Sequence, residues 1–226
     1  CVAYYTVAAV DAYANQPAND TWLASASRLI RRNLVADSDE RLAQDLAILQ
    51  EMATQMAAYL KSETLFWPLQ YSDMPKLTLG GFWLRQHRLT SLTNLLTAEQ
   101  LAQLSSIMKH FETALSVWIV RTEQRAHTEL AARIRQWNEY LRDVFAGKGT
   151  DVAGYPAHVE TRAIIAALID QLQERPYVLD ESITAPVLQQ DKALRARWEP
   201  GSFVWPEAWQ PAYPKPEFWW LYGRPK

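Results

Sequence analysis

The residues best suited to chemistry in this sequence lie in two short polar stretches, and the first of them pairs an acid with an imidazole. Glu123 and His127 stand four residues apart, which places both side chains on one face of a helix. Such a pair could carry a proton or bind a metal ion. It could equally be a weak ion pair, and the many charged neighbours on the same helix favour this interpretation. We expect residues 122–129 to form an ordinary polar seam, with a buried polar layer as the alternative.

The second stretch combines two arginines and a histidine with a glycine pair. Arg85, His87 and Arg88 follow Gly80 and Gly81. Backbone amides at such a helix start, together with guanidinium groups, can bind an anion such as phosphate. Because the motif is short and common, we treat anion binding as the less favoured interpretation. The candidates for a polar seam are therefore Arg85, His87, Arg88, Glu123 and His127.

The sequence lacks the motifs of common catalytic and metal-binding families. It has one cysteine, and none of its four histidines follows a glutamate by three residues, which excludes the Glu-x-x-His pairs of ferritin-like di-iron sites. There is no Gly-x-Ser-x-Gly motif, and residues 147–151 lack the spacing of a phosphate-binding loop. We therefore predict no catalytic residue, no metal ion and no cofactor, and we favour a protein that is not an enzyme.

The composition is that of an ordinary globular protein. Of its 226 residues, 49% are hydrophobic and 21% are charged, and the net charge is −2 at pH 7. The chain therefore suits one large domain or two small ones. Nucleic-acid-binding proteins usually carry a clear basic excess, so that class is disfavoured. No apolar run approaches the roughly 20 residues that a transmembrane helix needs.

A long segment without glycine or proline predicts the first main helix. Residues 18–67 contain neither residue. Within this segment, apolar residues recur at alternating spacings of four and three, which predicts a helix over residues 37–66. The residues of this apolar stripe are Leu42, Leu46, Leu49, Ala53, Met56 and Leu60.

A second such segment, residues 82–146, predicts the other main helix. The sequence from Thr97 to Gln100 matches a capping box, in which a hydroxyl and an amide side chain close the first turn. From there we predict one long helix over residues 97–146. Its apolar rhythm changes phase within residues 122–129.

These segments predict an all-α fold, an up-down helical bundle built on two long helices with shorter helices around them. The long helices span about residues 37–66 and 97–146, and an extended Pro/Trp-rich C-terminal strap follows the bundle. The predicted division is an N-terminal segment of uncertain structure (1–20), the helical bundle (21–198) and the strap packing on it (199–226).

The C-terminal strap is the most unusual part of the sequence. Residues 198–226 contain five tryptophans and six prolines, so they suit neither a helix nor a freely mobile tail. We expect the strap to cover a seam of its own bundle, and the alternative is that part of it binds a partner. The candidate binding residues are Trp205, Trp209, Tyr213, Trp219 and Trp220.

The first residue is Cys1 in place of methionine. A chain that starts with cysteine resembles a mature bacterial lipoprotein, in which this residue carries a lipid. The resemblance implies attachment to the extracytoplasmic surface of a membrane without a spanning helix. The alternative is a trimmed sequence and a cytoplasmic location. The apolar character of residues 2–10, where a lipoprotein would have a polar tether, favours this alternative.

Two functions are consistent with these observations. A long helical pair with an aromatic strap favours a non-catalytic interaction or structural protein, such as an accessory subunit of a larger assembly. Its partner would be another protein or a second copy of the chain. The alternative is a small-ligand-binding protein or an enzyme, with a polar pocket inside the bundle formed by the group at 85–88 together with Glu123 and His127.

Overall fold

The computed structural model describes residues 20–70, 74–147 and 154–226. It divides the chain into two units, Cys1–Ser38 and Asp39–Lys226. In the first unit only a helical backbone over residues 20–38 is described, and all packing reported below belongs to the second. Cys1 and the rest of the predicted N-terminal segment, apart from the last residue, lie outside the described residues.

The described chain is mostly helical, which confirms the predicted all-α fold. None of its helices is long and apolar enough to span a membrane. The helices are α1 (Asp20–Lys61), α2 (Leu79–Ser91), α3 (Ala98–Val117), α4 (Ile119–Phe145), α5 (Tyr155–Gln173) and α6 (Thr184–Arg195). Two short strands, β1 (Trp198–Phe203) and β2 (Tyr222–Pro225), complete the fold.

Helix α1 carries the apolar stripe that the sequence predicted, and every residue of that stripe is buried. The predicted bounds were wrong at both ends, since the helix already includes residue 20 and stops at Lys61 rather than near residue 66. The end is fixed by tertiary contacts, because two arginines of α4 donate hydrogen bonds to one carbonyl group in the last turn and to two that follow it. Arg121 donates to the carbonyls of Leu60 and Ser62, and Arg125 donates to those of Ser62 and Thr64.

The predicted long helix over residues 97–146 is interrupted, and the prediction of one continuous helix was wrong. The capping box is confirmed at its start, where Thr97 and Gln100 exchange backbone-to-side-chain hydrogen bonds of 2.9 and 3.2 Å. The interruption falls at Trp118, which leaves helical geometry with φ −126° and ψ 36°. It does not fall within residues 122–129. The flanking residues Val117 and Ile119 are β-branched, so helix propensity is locally low there.

Helix α2 is held close to α5 by a glycine. A β-carbon on Gly80 would lie 2.6 Å from Cγ2 of Ile164 and 2.9 Å from Cδ1 of Leu168, so only glycine permits this approach. On the neighbouring side, Phe82 stacks on Phe111 of α3 with ring centroids 3.7 Å apart. Helix α2 is thereby fixed between α3 and α5.

The C-terminal strap forms a closed loop rather than an extended segment. Its ends pair, since β1 and β2 are antiparallel with Trp198 opposite Pro225 and Glu199 opposite Arg224. The sequence did not predict this pairing, because its proline content hides the strand pattern. Gly223 is required at the crossing, since its φ is 144° and a β-carbon there would lie 2.2 Å from the carbonyl oxygen of Glu199.

Candidate functional site

The first turn of α2 is closed by side chains of the protein itself. Thr78 caps the helix, and its hydroxyl accepts the Gly81 N–H at 3.0 Å. The Gly80 N–H donates to Oε2 of Glu129, at 2.9 Å. The Gly80 N–H therefore binds a carboxyl group of helix α4, whereas the less favoured interpretation of the sequence was an external anion at this position.

Glu129 is fully buried, and its charge is costly in this position. Burial raises the pKa of the Glu129 carboxyl above its usual range, while Arg133 and the Gly80 N–H act in the opposite direction. Nε of Arg133 lies 3.4 Å from Oε1 of the carboxylate. The group therefore links α4 to the start of α2.

Arg88 joins three parts of the fold through a buried ion pair. Its Nη1 donates to Oδ2 of Asp45 at 2.7 Å, and its Nε donates to the hydroxyl of Tyr213 at 3.1 Å. The guanidinium also stacks over Trp209, 3.4 Å from the ring centroid, with Trp205 at 5.7 Å. Arg88 is thus committed to α1 and the strap, which makes its role structural.

Arg85 lies one turn earlier on α2, and among the described residues it makes fewer hydrogen bonds than Arg88. Its Nη1 donates to the carbonyl of Gly81 at 2.9 Å. Its Nε lies 3.6 Å from Oδ1 of Asp45, and its Nη2 lies 3.7 Å from Oε1 of Glu160. Both separations exceed a normal hydrogen bond. Within the described residues, the Nε–Nη2 edge of this 10% exposed side chain has ion-pair contacts but no hydrogen bond.

Two clefts meet at Arg85, with volumes of about 470 and 380 Å³. Both are lined by Pro75, Arg85 and Glu160, and we call the combined space the Arg85 cleft. Its charged lining comprises five cationic side chains and two carboxylates, and two of the cations, Arg88 and Arg133, are paired with Asp45 and Glu129. The charged lining residues are Arg41, Lys76, Arg85, Arg88, Arg133, Asp45 and Glu160.

His87 does not line this cleft but packs against the strap. Its Nε2 lies 2.9 Å from the carbonyl oxygen of Ala212, so this nitrogen carries the proton and donates. Its ring also contacts Tyr213 and Phe218, with centroids 5.6 and 5.8 Å away. The three polar residues at 85–88 therefore have different environments.

Glu123 and His127 hold the segment that precedes α6. Oε2 of Glu123 accepts the Val178 N–H at 2.9 Å, and Nε2 of His127 accepts the Asp180 N–H at 3.1 Å. Nδ1 of His127 lies 2.9 Å from the Glu123 carbonyl oxygen, which fixes the proton on Nδ1. These residues do not join the Arg85 cleft. Across the described residues, no group of three or more His, Cys, Asp or Glu is placed to bind a metal ion.

The candidate aromatic residues of the strap divide between two places. Trp205 and Trp209 line the smaller part of the Arg85 cleft. Trp219 and Trp220 lie elsewhere, each beneath a guanidinium group, at 4.0 Å from Arg195 and 3.8 Å from Arg162. The fifth candidate, Tyr213, is fully buried, and its hydroxyl accepts a hydrogen bond from Arg88. All five therefore contact the chain's own residues.

An apolar surface surrounds the junction of α3 and α4. Val117, Val120 and Val178 are 70, 70 and 71% exposed, and Ile119 is 39% exposed. Val178 lies near this junction because its N–H donates to Glu123. On α4, Glu123 follows Val120 by three residues, which is about one helical turn. We call these four residues and the adjoining groove the junction surface. The groove has a volume of about 350 Å³, and its apolar lining includes Trp83, Phe111, Leu115, Ile119, Pro176 and Tyr177.

The sequence interpretation missed the acids that face the arginines. Asp45 carried a usable signal, because it lies three residues after Leu42 and four before Leu49, on the buried face of α1. Glu129 carried a weaker signal, because it lies three residues after Ala126, on one helix face with it. Glu160 carried none, since its contact with Arg85 depends on how α5 packs against α2.

Comparison with known proteins adds no relative to this description. No protein-family model, curated protein or solved structure matches the chain.

Proposed function

We propose that this protein is a non-catalytic interaction protein that binds a protein partner through the junction surface. The observation that carries the proposal is the exposure of Val117, Ile119, Val120 and Val178, of which Ile119 lines the groove and the other three are next to lining residues in the sequence. Single exposed apolar residues are normal, but a cluster bordering an apolar groove is typical of an interaction surface.

The polar candidates support a non-catalytic role. His87, Glu123 and His127 each contact a backbone group of the chain itself, at 2.9, 2.9 and 3.1 Å. Arg88 donates hydrogen bonds to the carboxylate of Asp45 and the hydroxyl of Tyr213. These four side chains therefore position the strap and the segment before α6.

The groove indicates the chemistry of the partner. Trp83, Phe111 and Tyr177 contribute aromatic surface to its walls, and Glu112 and Arg175 contribute one charge of each sign. This arrangement suits a partner helix that inserts an apolar side chain and places polar residues beside it. This lining does not imply a nucleic acid or a membrane as the partner.

The decisive measurement is the mass of the native assembly after gentle detergent extraction. We expect a mass well above the 25.9 kDa of one chain. Replacing Val117 and Val120 together by serine should release the partner, since interfaces depend on a few buried apolar contacts. The matched control is Leu188→Ser on α6, which removes an equally exposed apolar residue outside the groove.

The outcomes separate clearly. Co-eluting chains that are lost in the double variant but kept in the Leu188→Ser control support the proposal. A wild-type chain that migrates alone overturns it, and so does an assembly that the double variant leaves intact. If the assembly contains this chain alone, the partner is a second copy.

A further inference from the structure

The segment between α5 and α6, residues 174–183, is tied to α4 through its backbone. The Val178 N–H donates to Oε2 of Glu123 at 2.9 Å, and the Asp180 N–H donates to Nε2 of His127 at 3.1 Å. Glu123 and His127 lie one turn apart on α4, so they bind alternate residues of the segment. Because Val178 belongs to the junction surface, these two bonds help to position the edge of that surface.

The bond from Asp180 requires a neutral His127 ring. Nδ1 of His127 lies 2.9 Å from the carbonyl oxygen of Glu123 and can only donate to it, so Nε2 is the unprotonated nitrogen that accepts. In an imidazolium ring both nitrogens carry a proton and neither can accept. Protonation therefore turns Nε2 into a donor that faces the N–H of Asp180, and this hydrogen bond is lost.

The charged groups near the ring are mostly carboxylates, which attract an imidazolium. Glu123 lies one turn away on α4, and Asp180 belongs to the segment itself. Hydrogen bonds from the hydroxyl and the N–H of Ser182 hold the pKa of the Asp180 carboxyl below its usual range, so it stays charged while a histidine titrates. The first residues of α6, 184–190, carry no charge. The charged side chains of the segment are Glu174, Arg175, Asp180 and Glu181.

Few other contacts hold the middle of the segment. Val178 is 71% exposed, and Asp180 is exposed as well. Tyr177 before them is buried and lines the groove of the junction surface. A short exposed stretch between fixed ends opens locally when one of its few hydrogen bonds is lost. The loss of the bond to His127 should therefore affect residues 178–183 without unfolding the helices.

We propose that His127 is a pH-sensitive switch at the edge of the junction surface. The neutral ring holds the Asp180 N–H and fixes the segment against α4. Protonation releases this N–H, so that Glu123 alone holds Val178 and the edge of the surface loses its fixed form. The release is a property of the free chain, whereas its effect on a partner rests on the proposed function.

The test follows the His127 ring and the Asp180 amide by NMR in the intact chain, from about pH 8 to about pH 5. We expect the Asp180 amide proton to move upfield in step with protonation of the ring, because it loses its acceptor. His127→Gln supplies an acceptor oxygen that does not titrate, so this movement should disappear. His158→Gln is the matched control, because it replaces an exposed histidine of α5 that stacks on Tyr140, further along α4. There the movement should remain.

Three results would overturn the switch: a ring that titrates without any change at Asp180, a ring that stays neutral down to pH 5, or the same movement in His127→Gln. The effect on the partner is measured by the mass of the native assembly at about pH 7.5 and about pH 5.5. We expect the wild type to lose its partner at the lower pH and His127→Gln to keep it. Equal retention by both chains overturns the effect on the junction surface. A chain that migrates alone at both pH values overturns the proposed function instead, and the NMR result then decides the switch.

Discussion

At the scale of single residues, the buried charges beside α2 are the feature that most constrains this sequence. Asp45, Arg88 and Glu129 are each at most 5% exposed, and each has an opposite charge or a backbone N–H as partner. Removing one member of such a pair leaves the other buried and uncompensated. Glu129 is the extreme case, since no part of it reaches solvent.

The stability of the protein should depend on pH through Glu129. Burial raises the pKa of this carboxyl in the folded protein, so the folded state binds the proton more tightly than the unfolded state does. The stability gained in this way is complete below the ordinary carboxyl pKa and is lost as pH rises through the raised pKa. Relative to Glu129→Gln, the free energy of unfolding of the wild type should therefore fall as pH rises from about 4, by about 1.4 kcal/mol for each unit of the rise in pKa.

Urea denaturation at a series of pH values measures this difference. The control is Glu139→Gln, which replaces an exposed acid on the same helix. A difference between the wild type and Glu129→Gln that stays constant with pH would contradict the assignment of a raised pKa to Glu129.

At the scale of elements, the arginines of α4 decide where α1 ends. The last carbonyl groups of a helix have no partner within it. Arg121 donates to the carbonyl of Leu60 in the last turn, whereas Arg125 donates to the carbonyls of Ser62 and Thr64 just beyond it and also stacks on Tyr59, 4.0 Å from the ring centroid. Arg121 binds the same region but its side chain is 32% exposed. The two residues therefore offer a graded test of this capping.

We expect Arg125→Gln to destabilise the protein by about 2 kcal/mol, since hydrogen bonds from charged donors contribute more than neutral ones. Arg121→Gln should cost less, because water can replace a partly exposed donor. Thermal or urea unfolding followed by circular dichroism measures both. Equal losses in the two variants would show that burial of the guanidinium does not set the effect.

Local patterns in the sequence predicted the elements better than their ends. The stripe from Leu42 to Leu60 and the capping box at Thr97 depend on neighbours within one or two turns, and the structure confirms both. The end of α1 and the approach of Glu160 to Arg85 depend on residues about 60 and 75 positions apart in the sequence, respectively. No local pattern encodes such contacts, so the clefts could not be predicted.

At the scale of the whole molecule, residues of the strap are buried and form hydrogen bonds with the helices. Tyr213 and Leu221 are fully buried, the hydroxyl of Tyr155 donates to the Trp220 carbonyl at 2.7 Å, and Nε1 of Trp205 donates to the Pro156 carbonyl at 2.8 Å. The division into a bundle and a separate strap remains a prediction from the sequence. It can be tested by asking whether both unfold together.

Gly223→Ala is the substitution that tests this cooperativity. The new methyl group would meet the Glu199 carbonyl oxygen at 2.2 Å, at a φ of 144° that L-residues rarely adopt, so we expect a loss of about 2–4 kcal/mol. Gly201→Ala is the control, since its nearest neighbour would be 3.4 Å away. Circular dichroism reports the helices, and tryptophan fluorescence reports in part on the strap, since four of the ten tryptophans lie in residues 199–226. If strap and helices form one cooperative unit, Gly223→Ala lowers both unfolding midpoints equally. If the fluorescence midpoint alone falls, the strap unfolds separately, and the helices at Arg88 and Tyr155 are stable without it.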